Sequence, residues 1–239
     1  MTQKPLQGRI ALVTGASRGI GAATAEALAA AGAHVILTAR TVDSLEAVED
    51  RIHNLGGSAT IAPLDLKDAD AIGRLAEAVQ TRWGKLDILV LNAAMLGTLT
   101  PLHHADAREF ADVFTLNVSA QQAMLAAFDA LLRKSDAPQL IGVTSSVAAR
   151  PRAFWGVYGA SKAAFEVMLS AYAEENRTVG RIKVAIIDPG ATATKMREKA
   201  YPGEDPATIQ QPAAVGNAIA RLAMSGYDSV HRERVNQSV

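Results

Sequence analysis

The chain has 239 residues, of which 49% are hydrophobic and 20% are charged, and its formal net charge at pH 7 is zero. This composition is typical of a globular protein with a sizeable core, and it gives no electrostatic basis for binding nucleic acid or an anionic membrane. The sequence contains no cysteine, which excludes a disulfide framework, a thiolate metal site and catalysis by a thiol. The first residues lack the apolar stretch of a signal peptide and no apolar run reaches about 18 residues, so we expect a soluble cytoplasmic protein.

Short apolar runs alternate along the chain with segments of helical periodicity. Strands are predicted at about residues 10–13, 34–39, 59–64, 88–91, 140–143 and 184–187, and helices at about 22–31, 45–55, 72–79, 107–132 and 157–176. Unbroken apolar runs are typical of parallel strands that are buried on both faces. The pattern predicts an α/β fold with a single doubly wound (Rossmann) parallel sheet of about seven strands and helices on both faces.

The length favours one domain over residues 1–239. A short seventh strand is predicted near residues 233–235. Residues 201–206, which contain two prolines and a glycine, are the most loop-like part of the chain. We assign them to a variable substrate loop over about residues 191–212.

A glycine-rich turn follows the first strand, where residues 14–21 read Thr-Gly-Ala-Ser-Arg-Gly-Ile-Gly. Gly15 permits a tight turn, Gly19 lets a phosphate approach the backbone, and Gly21 lets the next helix pack close to the strand. The amino end of that helix offers N–H donors and its positive dipole end to a pyrophosphate. The alternative is a purely structural turn, since glycines are common between a strand and a helix.

A tyrosine and a lysine lie four residues apart in a predicted helix, at Tyr158 and Lys162. Residues at this spacing share one face of the helix. A cation beside a phenol favours the phenolate and lowers the tyrosine pKa, so this pair can donate or accept a proton near neutral pH. Such pairs are common on helix surfaces, but this one accompanies a glycine-rich turn, an upstream serine and an upstream asparagine.

Together these residues resemble the short-chain dehydrogenase/reductase family, and the resemblance extends over about residues 8–195. The residues that carry it are the turn at 14–21, Asp65, Asn92-Ala-Ala94, Asn117, Ser146, Tyr158 with Lys162, and Asp188-Pro-Gly190 followed by Thr194. The resemblance implies an NADP(H)-dependent oxidoreductase that transfers a hydride between nicotinamide and a carbonyl or secondary alcohol. The catalytic residues that it implies are Asn117, Ser146, Tyr158 and Lys162.

By this resemblance, Tyr158 is the general acid when a carbonyl is reduced and the general base when an alcohol is oxidised. Lys162 lowers the tyrosine pKa and holds the nicotinamide ribose, Ser146 donates to the substrate oxygen, and Asn117 holds a helix kink and a water. The serine assignment is a choice between neighbours. Ser145 lies thirteen residues before the tyrosine, which is the common family spacing, whereas Ser146 lies twelve before it and fits the Thr-Ser-Ser-Val alignment. We prefer Ser146.

The second predicted strand ends with Ala39 and Arg40, where NAD-dependent members of the family carry an acid. A guanidinium can bind a 2′-phosphate through two charge-assisted bonds, and Arg18 in the glycine-rich turn is a second cation aimed at the same region. We therefore predict NADP (NADPH) as cofactor, with a solvated surface arginine as the alternative for Arg40. The cofactor-binding residues implied by the resemblance are Gly15, Ser17, Arg18, Gly19, Ile20, Gly21, Arg40, Asp65, Leu66, Asn92, Ala93, Tyr158, Lys162, Pro189, Gly190 and Thr194.

Several residues have competing interpretations or depart from the family pattern. Asp65 resembles the family's adenine-edge residue, and a helix N-cap is its alternative role. Leu91 and Ala94 stand where the family usually has asparagine and glycine. His103 and His104 have no carboxylate cluster of metal-binding spacing nearby, so we expect no metal site.

The expected partner is a small-molecule carbonyl or alcohol, with no nucleic acid and no membrane. Phe154 and Trp155 either line an apolar substrate pocket or pack at the start of the helix over 157–176. Apolar positions of that helix form either a subunit interface, as the equivalent helix does in this family, or additional core packing. A homodimer or homotetramer is expected, and the absence of the family's glycine-rich tail favours the dimer. The alternative function is a cofactor-binding regulatory or scaffolding protein of the same fold, against which the intact catalytic set argues.

Overall fold

The structure is a computed structural model that describes residues 4–179, 181–227 and 230–235. Its strands are β1 (Ile10–Thr14), β2 (His34–Thr38), β3 (Ser58–Ile61), β4 (Ile88–Leu91), β5 (Gln139–Val143), β6 (Lys183–Asp188) and β7 (Val230–Arg234). They form one seven-stranded sheet in the order β3-β2-β1-β4-β5-β6-β7. Every pair of neighbouring strands is parallel.

Helices cover both faces of the sheet, which is why its central strands are buried along their whole length. The helices are α1 (Gly19–Ala30), α2 (Val42–Asn54), α3 (Ala69–Trp83), α4 (Ala107–Phe114), α5 (Ala120–Leu132), α6 (Gly156–Val179), α7 (Lys195–Ala200) and α8 (Pro212–Ser225). One core layer joins α1, α2 and α8 to the sheet, and the other joins α3, α5 and α6 to its opposite face. In the first layer, a Cβ at Gly216 would lie 2.5 Å from the Ala23 carbonyl oxygen, so glycine there lets α8 approach α1 closely.

The predicted doubly wound sheet is confirmed, and most strands fall within a few residues of their predicted bounds. The seventh strand begins earlier than predicted, at Val230, because it follows β6 in parallel register up to the pair Asp188 and Arg234. Helices α7 and α8 were not predicted. Pro212 occupies the first turn of α8 without loss, because an N–H there has no partner within the helix.

The segment predicted as one helix over 107–132 contains a local change of winding. Helix α4 passes into a π-helical turn over Thr115–Ser119, which then leads into α5. The N–H of Ala120 donates to the carbonyl of Thr115, five residues earlier. Such single π-turns are often found at functional sites, and this one contains the buried Asn117.

The topology brings several strand ends to one edge of the sheet. Because all strands are parallel, the carboxyl ends of β1, β4, β5 and β6 lie at the same edge. The chain winds outward from the centre in both directions, and the reversal falls between β1 and β4. Ligands of such sheets bind in the crevice at this reversal. Within the part of the chain that the structure describes, no helix has the length and apolarity needed to cross a membrane.

Candidate active site

The turn between β1 and α1 forms a concave backbone surface at the carboxyl edge. Gly15 and Gly19 have φ values of 65° and 55°, which are unfavourable for residues with a Cβ. A Cβ at Gly21 would lie 2.2 Å from the Gly15 carbonyl oxygen, so glycine is required for α1 to begin this close to the strand. Ser17 and Ile20 lie between these glycines, and the whole turn fits a pyrophosphate at the amino end of α1.

Asn92 fastens this turn to β4. Its Nδ2 donates to the carbonyl oxygen of Thr14 at 2.8 Å and to that of Gly15 at 3.3 Å. The Thr14 hydroxyl accepts from the backbone N–H of Asn92 at 2.9 Å and of Ala93 at 3.0 Å. Ala93 lies against the turn, since a Cβ at Gly15 would be 3.0 Å from its Cα. Both predicted residues are therefore at the cradle, and the Asn92 side chain holds the turn in place.

The segment after β6 approaches the same turn from the other side. Gly190 has a φ of 65°, and its N–H donates to Asp188 Oδ1 at 3.0 Å. Thr194 is the N-cap of α7. Its Cγ2 would lie 3.3 Å from a Cβ at Gly19, so the two segments touch. The structure thus brings the predicted nicotinamide segment, with Pro189, beside the glycine-rich turn.

Two arginines lie at the outer end of the cradle. Arg18 precedes α1 and Arg40 follows β2, and both are exposed. The Ala16 N–H donates to the Thr38 carbonyl at 3.1 Å, which brings the two arginine-bearing segments together. Among the described residues neither guanidinium has an ion pair or hydrogen bond. An anionic group such as a 2′-phosphate fits these free donors.

The loop after β3 contains two aspartates, Asp65 and Asp68, and one of them caps the next helix. Asp68 is the N-cap of α3, and its Oδ1 accepts from the Ala71 N–H at 3.1 Å. Asp65 is exposed and accepts only a local hydrogen bond, from the Lys67 N–H at 3.0 Å. The helix-cap alternative for Asp65 is therefore wrong. Leu66 is buried beside it.

Tyr158 lies in the first turns of α6 and is 6% exposed. Burial raises the pKa of its phenol, the Ser145 hydroxyl lowers it through a hydrogen bond, and the Asp188 carboxylate raises it further. The net shift is upward, so the phenol is protonated at neutral pH. This differs from the expected lowering of the tyrosine pKa by Lys162, because burial is the largest effect and the lysine is held elsewhere.

Of the two candidate serines, Ser145 is the one whose hydroxyl lowers the pKa of the Tyr158 phenol. Ser146 begins the turn after β5, and its hydroxyl has no partner among the residues the structure describes. This effect on the phenol favours Ser145, in agreement with the thirteen-residue spacing. The assignment of the catalytic serine stays a prediction.

Lys162 is buried on the same face of α6, with 3% of its surface exposed. Its Nζ donates to the Val143 carbonyl at the end of β5 at 2.8 Å. Burial lowers the pKa of Lys162 to about 8, and the Glu166 carboxylate opposes this shift. The Val143 carbonyl thus holds the lysine at the end of β5, two residues before Ser145.

Asn117 in the π-turn packs between α6 and the loop after β4. Its Oδ1 accepts from the Met95 N–H at 2.9 Å, while its Nδ2 donates to the Met95 carbonyl at 2.9 Å and to Ser161 Oγ at 3.0 Å. The side chain thereby fixes the loop after β4 to α6 next to Tyr158 and Lys162. Sequence reasoning missed Gln121, whose Nε2 donates to the carbonyls of Ala93 and Leu116 and links the π-turn to the cradle.

An apolar cluster surrounds the Tyr158 ring. Its buried members are Leu96, Val147 and Tyr158, and partly buried neighbours are Leu99, Trp155, Met196 and Ala200. The Trp155 ring lies with its centroid 6.0 Å from that of Tyr158 and 5.8 Å from that of Tyr201. Trp155 thus packs against both tyrosine rings.

The segment that contains α7 packs on this cluster and is held by its own contacts. Arg197 binds both carboxylate oxygens of Glu204 at 2.5 Å. Its guanidinium also lies 3.7 Å from the centroid of the Tyr201 ring. Arg152 from the opposite loop donates to the Tyr201 hydroxyl at 3.2 Å. Of these three contacts, that of Arg152 with Tyr201 joins residues far apart in the sequence, and the local sequence pattern does not reveal it.

The fold and the site define a class: oxidoreductases that hold a dinucleotide at the carboxyl edge of a doubly wound sheet. The chain belongs to the short-chain dehydrogenase/reductase family, since the family model described as short chain dehydrogenase matches residues 9–205. The family binds a nicotinamide cofactor, so the predicted family and cofactor class are confirmed.

Relatives found by sequence and by structure are likewise named as oxidoreductases or short chain dehydrogenases. The uncharacterized oxidoreductase YciK of Escherichia coli K12 is 38% identical over 216 residues, which are 89% of this chain and 85% of that protein. A short chain dehydrogenase from Shigella flexneri complexed with NADP has a TM-score of 0.91 at 35% identity, over 98% of this chain and 99% of the other. One from Escherichia coli CFT073 complexed with NADPH has a TM-score of 0.88 at 36% identity, over 97% and 99%.

Proposed function

We propose that this protein is an NADP(H)-dependent oxidoreductase that interconverts a carbonyl compound and a secondary alcohol. The observation that carries the proposal is the buried pair Tyr158 and Lys162, supported by Ser145 and Val143, directly beside the glycine-rich cradle. A proton donor and a dinucleotide site at one edge of a sheet suit hydride transfer coupled to proton transfer.

NADP(H) is favoured over NAD(H) by the charges at the outer end of the cradle. Arg18 and Arg40 are exposed cations without partners among the described residues, and Ala39 brings no carboxylate that would repel a phosphate. The complexes of the Shigella and Escherichia coli relatives with NADP and NADPH support the same choice. When bound, the nicotinamide supplies the hydride and accepts it back in the reverse direction.

The residues of the chain supply the proton and position the oxygen. Tyr158 is protonated at neutral pH because burial raises its pKa, so its hydroxyl can give a proton to the oxygen of a carbonyl as that oxygen gains charge. The Ser145 hydroxyl, which already bonds to the phenol, donates to the same oxygen. Lys162 has a pKa of about 8, so it stays largely charged at neutral pH, and by the family resemblance it would hold the nicotinamide ribose. Asn117 fixes the loop after β4 to α6 beside these residues.

Assembly is proposed as a homodimer or homotetramer, as the family resemblance implies. The outer side of α6 supports an interface, since Val167 there is 69% exposed. Light scattering on the purified protein tests this directly.

Absorbance of NADPH in the presence of a panel of aldehydes and ketones tests the activity. The intact protein should consume NADPH with at least one carbonyl compound, and Tyr158→Phe should abolish turnover while NADPH binding is nearly unchanged. Activity of Tyr158→Phe within about tenfold of the wild type would contradict the role of the phenol. The alternative, a regulatory or scaffolding protein of the same fold, predicts NADPH binding by both proteins and turnover by neither.

A further inference from the structure

The loop over residues 193–209 leaves the body of the protein and returns to it at one junction. Thr192 and Gln210 form an isolated parallel β-bridge, and the Ala193 N–H donates to the Gln210 carbonyl at 2.9 Å. Two residues later, Pro212 opens helix α8, which belongs to the core layer with α1. Both ends of the loop therefore meet at Gln210, directly before a helix of the core.

The side-chain amide of Gln210 donates into the segment that follows β6. Its Nε2 donates to the Pro189 carbonyl and to Thr192 Oγ1 at 3.2 Å, and it also reaches the Val235 carbonyl at 3.4 Å. The Thr192 hydroxyl in turn donates to the Pro189 carbonyl at 2.9 Å. One amide thus connects the start of this segment, the base of the loop and the residue that follows β7.

The orientation of this amide is fixed by its surroundings. Gln210 is 6% exposed and Thr192 is 4% exposed. The three oxygens around the amide nitrogen all accept, so the opposite orientation would set the amide oxygen against other oxygens. The Gln210 Oε1 is buried and has no hydrogen-bond partner among the described residues. An unpaired buried acceptor costs stability, and such a cost is typical of residues kept for function rather than for folding.

The segment that Gln210 holds packs closely on both of its sides. A Cβ at Gly190 would lie 2.9 Å from the Val235 carbonyl oxygen and 3.2 Å from the Gln210 Nε2. Further along, Thr194 Cγ2 would lie 3.3 Å from a Cβ at Gly19. The segment is thus in contact with the Gln210 amide on one side and with the glycine-rich turn on the other.

The order of the strands indicates which half of a dinucleotide this segment faces. Arg40 follows β2 and the pyrophosphate cradle follows β1, so the adenosine half lies on that side of the reversal. The hydride and the proton go to one carbonyl, so the nicotinamide lies near Tyr158. Lys162, on the same face of α6, is held at the end of β5, and β6 is the next strand of the sheet. The segment after β6 therefore faces the nicotinamide half.

We propose that Gln210 is a positioning residue for the nicotinamide half of the cofactor, an inference that rests on the proposed function for the place of that half. The amide fixes the segment around Pro189 and Gly190, and the base of the loop, before the cofactor binds. Less conformational freedom is then lost on binding. Without the Nε2 donors the segment is freer in the cofactor-free protein, and affinity for the nicotinamide half falls while affinity for the adenosine half does not.

Two nucleotides separate this role from a general effect on the fold. NADPH carries both halves, whereas adenosine 2′,5′-bisphosphate carries only the adenosine half with its 2′-phosphate. Gln210→Met keeps the length of the side chain and removes its donors. Calorimetry should show NADPH binding weakened about tenfold, equivalent to about 1.4 kcal/mol, and bisphosphate binding within about twofold of the wild type.

The matched control is Gln211→Met, the same substitution at the next residue. Gln211 is exposed and its Nε2 donates to the Pro206 carbonyl at 3.1 Å, so both affinities should stay unchanged. A second variant, Thr192→Val, keeps the shape of its side chain and removes the hydroxyl that donates to Pro189. It should weaken NADPH binding by a smaller factor and again leave bisphosphate binding unchanged.

An equal loss of both ligands in Gln210→Met, or a loss of neither, overturns the inference. The first result marks a residue that stabilises the whole fold, and the second marks a junction that the cofactor does not use. Thr192→Val decides the question in the same way if Gln210→Met does not fold. No turnover is needed, so failure of the reductase activity leaves the test intact. A wild type that binds NADH in place of NADPH refutes the NADP assignment alone, and the comparison is then made with NADH and ADP.

Discussion

The carboxylate of Glu166 accepts a hydrogen bond from the Thr144 hydroxyl at 2.6 Å. Thr144 lies between Val143, which holds Lys162, and Ser145, which holds Tyr158. The second oxygen of the same carboxylate accepts from Arg232 on β7 at 3.0 Å. A single side chain one turn after the lysine thus ties the end of β5 to the last strand of the sheet.

Glu166→Gln should lower kcat by about tenfold, because the loss of one charge-assisted contact, worth about 1.5 kcal/mol, loosens the backbone that supports both catalytic residues. The variant should also shift the pH dependence. The Glu166 charge raises the pKa of Lys162, which burial lowers to about 8. Without that charge the lysine loses its proton at lower pH, so the alkaline limb of the kcat–pH profile should move to lower pH.

The control for this prediction is Glu174→Gln, two turns further along α6. Glu174 is exposed and pairs only with Arg177 at 2.9 Å. The same charge is removed from the same helix without touching Thr144. An equal loss of kcat in both variants, or an unshifted alkaline limb in Glu166→Gln, would show that Glu166 is a general helix-stabilising residue.

Ser145→Ala should reduce turnover strongly, by the loss of one donor to the developing oxyanion, about 3 kcal/mol or two orders of magnitude in kcat. Ser146→Ala is its matched control and should change kcat little, because its hydroxyl has no partner among the described residues. Steady-state kinetics on the two variants checks the ranking. The reverse order would restore the preference drawn from the Thr-Ser-Ser-Val alignment.

The sequence predicted those parts of the site that depend on local geometry. The glycines at 15, 19 and 21 and the pair Tyr158 and Lys162 act through one turn and one helix face, and both are visible in a short window. The choice between Ser145 and Ser146 depends on where the backbone turns after β5, and the Thr-Ser-Ser-Val alignment does not decide it. The spacing to Tyr158 favours Ser145.

Long-range contacts could not be predicted in this way. The clamp from Glu166 to Arg232 spans 66 residues, and the contact of Arg152 with Tyr201 spans 49. Neither has a local pattern. Helix α8 did have a signal, since Pro212 stands at its first turn and its buried positions include Val215 and Ile219 at helical spacing. Helix α8 was not predicted because the loop assigned to about residues 191–212 overlaps its first residue, Pro212.

Arg40→Asp should weaken NADPH binding by at least about tenfold while NADH binding changes much less, because a carboxylate repels the 2′-phosphate that a guanidinium attracts. Titration of each protein with both nucleotides measures the ratio. Arg181→Asp makes the same change in charge at the amino edge of the sheet, just before β6, and should leave the ratio unchanged. Equal or tighter binding of NADH by the wild type would defeat the NADP assignment.

Lys162→Met should make the cofactor-free protein more stable at neutral pH while it abolishes turnover. Burial lowers the pKa of Lys162 from 10.5 to about 8. The unfolded chain therefore binds more protons than the folded chain between these two values, and the free energy of unfolding rises with pH across that window. Below about pH 8 the buried charge destabilises the fold by an amount on the order of 3 kcal/mol.

Urea unfolding of the two proteins at several pH values measures this effect. The gain from Lys162→Met should be largest at pH values below the folded pKa and should shrink as the pH approaches that of a free lysine, because the wild-type amine is then neutral in both states. Lys183→Met, which removes an exposed lysine at the start of β6, should give no such gain, since that charge remains in water. Wild-type stability that is flat across the window, or a loss of stability in Lys162→Met, would show that the Val143 carbonyl compensates fully for burial of the ammonium and that the lysine is not held at an energetic cost for catalysis.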